Sequence, residues 1–230
     1  MTDEAERLLA SWHANAAAWA EAVRSGAIES RRLATDAAIL GAVQRRWPQK
    51  VLDLGCGEGW LVRALAEQGL AAIGVDGSGP LVEAASRAGG RFLRLGYAEL
   101  VAEPERCGAG FDLVVANFAL FEEKTLPLLA ALRRIMTADG WLLVQTLHPL
   151  AAGPPYEDGW RTEDFCGFGS GAWTPMPWYF RTLGSWVGVL QEGGFALEAL
   201  REPAHPQERR PLSLLLEARV MTEKEDLSCR

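Results

Sequence analysis

Three glycines at alternate positions carry the sharpest chemical signal in the chain. They are Gly55, Gly57 and Gly59 in VLDLGCGEG, residues 51–59. The apolar run before them reads as a buried strand ending at Leu54, and the residues after them as a helix. Glycine there tolerates positive φ and lets a ligand approach the backbone. The helix start offers unpaired N–H groups. A P-loop is excluded, because no Gly-Lys-Ser/Thr follows. The dinucleotide spacing G-x-G-x-x-G is also absent, since position 60 is Trp. The spacing is G-x-G-x-G, with Asp53 just ahead of it. A carboxylate so close opposes a pyrophosphate and suits a cation. A second acid, Asp76, stands 21 residues after Gly55 in GVDGS, residues 74–78. A carboxylate at that distance commonly grips two ribose hydroxyls. Taken alone, Asp76 is also an ordinary turn or helix-cap residue. S-adenosylmethionine answers this pair of acids, since it carries a sulfonium, an ammonium and a ribose.

Other reactive side chains are few. The histidines are His13, His148 and His205. His148 follows the fifth apolar run in QTLHP, at the edge where open α/β sheets bind ligands. Its ordinary pKa near ~6.5 suits a general base. It could equally fix the turn before Pro149. His205, in a proline-flanked turn, reads as structural, and His13 as a helix-surface residue. Arg31 and Arg32, in SRR at 30–32, could pair with a ligand carboxylate or lie on the surface. The stretch from His148 to Phe180 is rich in proline and glycine. It holds Tyr156, Trp160, Phe165, Phe168, Trp173, Trp178, Tyr179 and Phe180. Those rings could cover an apolar or planar small molecule, or anchor a long insertion to the sheet. Trp160, Trp178, Tyr179 and Arg181 are the substrate candidates, with Arg181 placed to hold a polar or carboxylate end. Glu157, Asp158, Glu163 and Asp164 argue against a strongly anionic substrate and form no convincing magnesium site. No metal is expected.

The elements that must position these groups follow from periodicity. Residues Glu6–Val23 and Ile28–Trp47 read as helices broken at Ser25–Gly26. The second helix points Ile28, Ala34, Ala37, Leu40 and Val43 toward the core and stops at Pro48. Strands are expected at Val51–Leu54, Ala72–Val75, Phe92–Leu95, Leu113–Ala116 and Trp141–Leu147. Helices fit between them at Trp60–Glu67, Pro80–Ala88 and Leu126–Met136. A further helix, Thr182–Glu192, precedes a closing antiparallel pair, Phe195–Leu200 and Leu212–Val220. Alternating strands and helices with apolar central strands mean a mostly parallel sheet covered on both faces. The expected units are a helical cap at 1–47, a core at 48–222 with an insertion at 148–181, and a polar tail at 223–230.

The 230 residues and 49% hydrophobic content allow a full core. With 23 basic against 30 acidic residues, the formal net charge is −7, so nucleic acid is not a general partner. A local basic groove stays compatible with that charge. Cys56, Cys107, Cys166 and Cys229 show no disulfide or zinc spacing. The acidic start MTDEAERLLA is unlike a leader, and no apolar run approaches ~18 residues. The expected setting is the cytoplasm, as a monomer or homodimer, with no membrane.

VLDLGCGEG with GVDGS resembles the first two motifs of the class I S-adenosylmethionine-dependent methyltransferases. FDLVVANFALF (111–121) and MTADGWLLVQTLHP (136–149) are similar to that family's fourth and fifth strand regions. The resemblance implies a three-layer, Rossmann-like α/β fold with a seven-stranded sheet ordered 3-2-1-4-5-7-6, strand seven antiparallel. It implies that Asp53, Gly55 and Gly57 line the methionine part of the cofactor. Asp76 would take the ribose hydroxyls, with Gly77 and Ser78 bordering the adenine. Tyr97 and Ala98 occupy the place of a frequent adenine-binding aspartate, with Glu99 one position late. Asn117 would lie near the reactive methyl, where a small-molecule acceptor enters. The rival readings are a nicotinamide oxidoreductase and a non-catalytic nucleoside-binding protein. Calorimetry separates the first rival: S-adenosylhomocysteine, the methyl-transfer product, is expected to bind, and NAD is not. Tight NAD binding without the thioether ligand would overturn the reading.

Overall fold

Apolar residues on successive positions of a central strand must find partners on both faces of the sheet. In the computed structural model, which describes residues 3–169 and 171–222, they do. The strands are β1 (Lys50–Leu54), β2 (Ala71–Asp76), β3 (Phe92–Arg94), β4 (Phe111–Asn117), β5 (Met136–Thr146), β6 (Gly159–Glu163), β7 (Met176–Phe180), β8 (Phe195–Arg201) and β9 (Leu214–Val220). The α-helices are α1 (Asp3–Arg24), α2 (Asp36–Arg46), α3 (Trp60–Glu67), α4 (Gly79–Arg87), α5 (Tyr97–Ala102), α6 (Leu126–Ile135) and α7 (Leu183–Glu192). The expected tail at 223–230 lies outside the described residues. Among the described residues, no helix is long and apolar enough to cross a membrane.

Seven strands form one sheet in the order β3-β2-β1-β4-β5-β9-β8. The first five are parallel, and β9 runs antiparallel to both β5 and β8. This is the expected order, once the separate β6–β7 ribbon inside the insertion is set aside. Leu52, Val114 and Val144 pack on one face with Leu129, Leu132, Trp186 and Leu190 of α6 and α7. Their neighbours Val51, Leu113 and Leu143 pack on the other with Ile39 and Val43 of α2 and Leu61 and Leu65 of α3. Each such side chain contributes about 1.5–3 kcal/mol on leaving water.

Three boundaries differ from expectation. A π-turn, Arg31–Thr35, precedes α2, with the Asp36 N–H bonded to the Arg31 carbonyl. That wider turn rotates the following helix: Thr35, Ile39 and Ala42 are buried, Leu40 packs partly buried against the same core as expected, and Ala37 is exposed. β5 begins at Met136, which shortens α6. Tyr97 opens α5 and does not end the third strand. The Glu99 carboxylate accepts from the Gly96 N–H at 2.9 Å and caps that helix.

A third apolar cluster lies off the sheet. Leu8, Phe121, Phe165, Met176, Trp178 and Phe180 are buried together, with Trp12, Trp19, Phe168 and Trp173 packed against them. It joins α1 to the insertion. Buried Asn15 of α1 copies a strand partner: its amide donates to the Thr174 carbonyl and its oxygen accepts the Thr174 N–H, both at 2.8 Å. Asn15→Ala removes the partner of the Thr174 N–H and leaves its carbonyl with the Ser11 hydroxyl at 3.3 Å. The expected cost is about 1–3 kcal/mol, read as a lower urea midpoint with unchanged slope. A midpoint equal to the parent's would show that α1 is not clasped this way.

Candidate functional site

The C-terminal ends of β1, β2 and β4 deliver the polar residues to one crevice. The glycine loop is tied to β2 by Gly55 and Cys56, whose N–H groups donate to the Val75 carbonyl at 2.8 and 3.0 Å. Gly55 has φ +70°, and a Cβ there would stand 2.5 Å from the Ala119 Cβ, so no other residue fits. The Asp76 carboxylate accepts from Gly57 N–H at 2.9 Å and from Ser78 N–H at 2.7 Å. It therefore braces the loop while each oxygen keeps further acceptor capacity.

Asp53 is buried, and its Oδ2 has no hydrogen-bond partner. Burial, and then the negative charges of Asp76 and Glu58, push its pKa up to about 8, against a smaller opposing pull from Arg31. Burial also raises Asp76, offset by the two backbone N–H bonds and by His13. The Ser78 hydroxyl is a second buried oxygen without a partner. At the start of α3, the Glu58 carboxylate accepts the Trp60 N–H at 3.0 Å and pairs with Arg63 at 2.5 Å. An acid thus holds the helix end where a phosphate would bind. The donor set fits a cationic, hydroxyl-bearing group and is unsuited to a pyrophosphate.

The two arginines diverge. Arg31 is largely covered, donates to Asp36 at 3.0 Å and lies 4.5 Å over the Trp60 ring. Arg32 is exposed against the Gly26 turn. α1 passes over the crevice. A Cβ on Gly77 would stand 3.2 Å from Leu9, and one on Gly57 would stand 3.5 Å from the Trp19 indole nitrogen. Tyr97 donates to the Ala119 carbonyl at 3.0 Å beside Gly55, while Ala98 is exposed. Leu9, His13 and Trp19 were missed as crevice residues. The signal was an apolar stripe on α1 with a histidine inside it.

On the acceptor side, the Asn117 oxygen accepts from Gln145 at 2.8 Å. Gln145 also donates to the Thr35 carbonyl at 3.0 Å and accepts from Ser213 at 3.3 Å. Its signal was a polar residue inside an apolar strand. His148 is 2% exposed, with Nε2 at 2.8 Å from Glu202 and Nδ1 accepting the Leu150 N–H at 3.2 Å. Both ring nitrogens are engaged in this structure, Nδ1 with the turn that follows β5 and Nε2 with Glu202. Arg181 is buried too. It donates to the carbonyls of Glu122 and Glu123 and to the Thr125 hydroxyl, holding the loop after β4. All three of these bonds come from Nη2, and the buried Nε has no partner among the described residues. Trp178 points into the aromatic cluster, while Trp160 and Tyr179 pair edge to face at 5.5 Å on the ribbon's other side.

The raised Asp53 has a consequence for stability. An unfolded aspartate titrates near ~3.9, and Asp53 in the folded chain near 8. Between those values the folded state holds a proton that the unfolded state lacks, so stability falls as pH rises through the window. Urea denaturation is expected to show this decline, at up to ~1.4 kcal/mol per pH unit from this group. Asp53→Asn should flatten it. Equal slopes in parent and variant would mean that Asp53 is ionised throughout.

Comparison with known proteins agrees with this geometry. Residues 51–140 match the family described as Methyltransferase domain. An uncharacterised methyltransferase of Mycobacterium tuberculosis is 36% identical over 111 residues, covering 47% of this chain and 56% of that relative. The chain thus spans little more than half of that relative's length. A S-adenosylmethionine dependent methyltransferase from Mesorhizobium loti superposes with a TM-score of 0.58 at 22% identity, covering 78% of this chain and 96% of that one. The Burkholderia thailandensis 1,6-didemethyltoxoflavin-N1-methyltransferase superposes with a TM-score of 0.57 at 21% identity, covering 80% and 76%. These two share the fold. The family match begins on the strand that carries Asp53 and takes in the glycine loop and Asp76, the part of the chain that builds this crevice.

Proposed function

We propose that the chain moves a methyl group from S-adenosylmethionine to a small, partly apolar or aromatic acceptor by in-line displacement. The observation that carries this reading is the buried Asp53 carboxyl, whose free Oδ2 sits beside the glycine loop. A cation placed there restores the charge that burial and two acids suppress. When bound, the cofactor supplies a methyl on an already activated sulfonium. The protein's part is therefore to position and to exclude water.

In this reading Asp53, Gly55 and Gly57 face the methionine portion, and Asp76 takes the ribose hydroxyls. Gly77, Ser78, Tyr97 and Ala98 border the base. Arg31 is favoured over Arg32 for the ligand carboxylate, because its charge already reaches Asp53. Asn117 keeps its amide N–H groups for the acceptor, since its oxygen is held by Gln145. α1 and the 148–181 insertion close over the crevice, with Trp160 and Tyr179 as the rings available to an acceptor. Positioning by Asn117 then takes the place of a base at His148. The setting we assign is the cytoplasm, in keeping with buried free thiols at Cys56 and Cys107.

Asp76 gives the sharpest test. A hydrogen bond to a charged group is worth about 1.5–3 kcal/mol, so Asp76→Ala should weaken S-adenosylhomocysteine roughly tenfold or more. Calorimetry on folded protein measures this, with thermal melting run alongside because Asp76 also braces the loop. An unchanged Kd in a folded variant would remove Asp76 from the site.

A further inference from the structure

Behind α2, on the side away from α3, the sheet carries a second concave feature. Ala34, Ala37, Ala38, Leu200, Pro203 and Leu215 line an open groove of about 610 Å³. That volume is ordinary for a small-molecule site. Two guanidinium groups, from Arg45 and Arg201, complete the lining.

Both are anchored from below. Glu217 of β9 is completely buried and accepts from Arg45 at 2.7 Å, Arg46 at 2.5 Å and Arg201 at 2.7 Å. Burial would push this carboxyl up, and the three arginines together hold it below the ordinary range. Three guanidinium groups meet one carboxylate, so this corner is positive on a chain of net charge −7. Arg46 lies inward, 3.3 Å over the Trp141 ring. Arg201 meets Glu217 through Nε alone, and Arg45 through one terminal nitrogen. Among the described residues their remaining N–H groups have no partner, and the two side chains are about half exposed, at 52% and 45%. A guanidinium fixed by a buried acid loses little freedom on taking a second carboxylate. Glu202 also lines the groove, with its Oε1 turned to His148 Nε2 at 2.8 Å, and its charge leaves the guanidinium groups in excess.

We propose that this groove binds a small molecule joining a carboxylate to an apolar body, its head on Arg45 and Arg201 and its body against the alanine and leucine walls. The site shares no lining residue with the glycine crevice, so it stands or falls apart from the methyltransferase reading. The probe is octanoate, titrated calorimetrically into the full chain. Saturable one-site binding is expected, at least tenfold tighter than acetate or octyltrimethylammonium. Arg201→Gln should weaken it at least tenfold. Ala37→Phe, which fills the groove without touching the arginines, should abolish it. S-adenosylhomocysteine binding should stay unchanged in both variants. Absence of saturable octanoate binding overturns the proposal. So does equal affinity for the octyl cation, or undiminished octanoate binding in either variant that stays folded.

Discussion

A carboxylate forced into a dry crevice beside two other acids cannot stay ionised without help, and the arrangement around Asp53 follows from that. Its strand is central and apolar on both faces, so the side chain cannot swing to water. Asp76 is held by two backbone N–H groups, and Glu58 by Arg63 and the start of α3. Asp53 alone keeps an oxygen without a partner. Arg31 pulls against the rise but is shared with Asp36. The crevice is thus built to be completed by positive charge. The glycines set how near that charge can come.

The wall opposite the sheet is made twice over from distant parts of the chain. α1 supplies Leu9, His13 and Trp19, and the insertion supplies the aromatic cluster that holds α1 in place. Phe165 stacks on Trp173 at 4.7 Å, and Trp12 meets Trp19 edge to face at 5.2 Å. The Asn15–Thr174 clasp links the two across almost the whole chain. A ligand in the crevice would contact α1, and an acceptor beyond it would contact the ribbon. The two halves of the covering therefore share one apolar core. Rings such as Trp178 and Phe180 serve that core, and only the outward pair Trp160–Tyr179 is left to face anything else.

His148 and Arg181 both meet partners that lie far away in the sequence. His148 and Arg181 were chosen because their types can do chemistry and their positions follow the right elements. Whether a side chain is free for chemistry depends on neighbours remote in sequence. Glu202 stands 54 positions from His148, and Thr125 stands 56 from Arg181. No local pattern announces such partners. The π-turn before α2 is similar: one extra residue in a turn moved burial from Ala34 and Ala37 to Thr35, Ile39 and Ala42.

What the sequence determined by itself was local and periodic, although the π-turn, α5 and the β6–β7 ribbon carried no such signal. The order of strands and helices, the glycine loop with its positive φ, the acid on each of the first two strands and the bounded helix ends depend on contacts within a few residues. Backbone sterics and apolar periodicity act at that range. The sheet order followed from them because right-handed crossovers leave few alternatives. Tertiary structure decided which polar groups are already partnered. It engaged both nitrogens of His148, buried Arg181 under its own loop and left Asp53 alone. It also brought Arg45 and Arg46 to Glu217 from 172 and 171 positions away, beside Arg201 of the neighbouring strand. Burial and pairing are properties of the whole packing, since desolvation depends on every atom that excludes water, and no stretch of sequence contains that information.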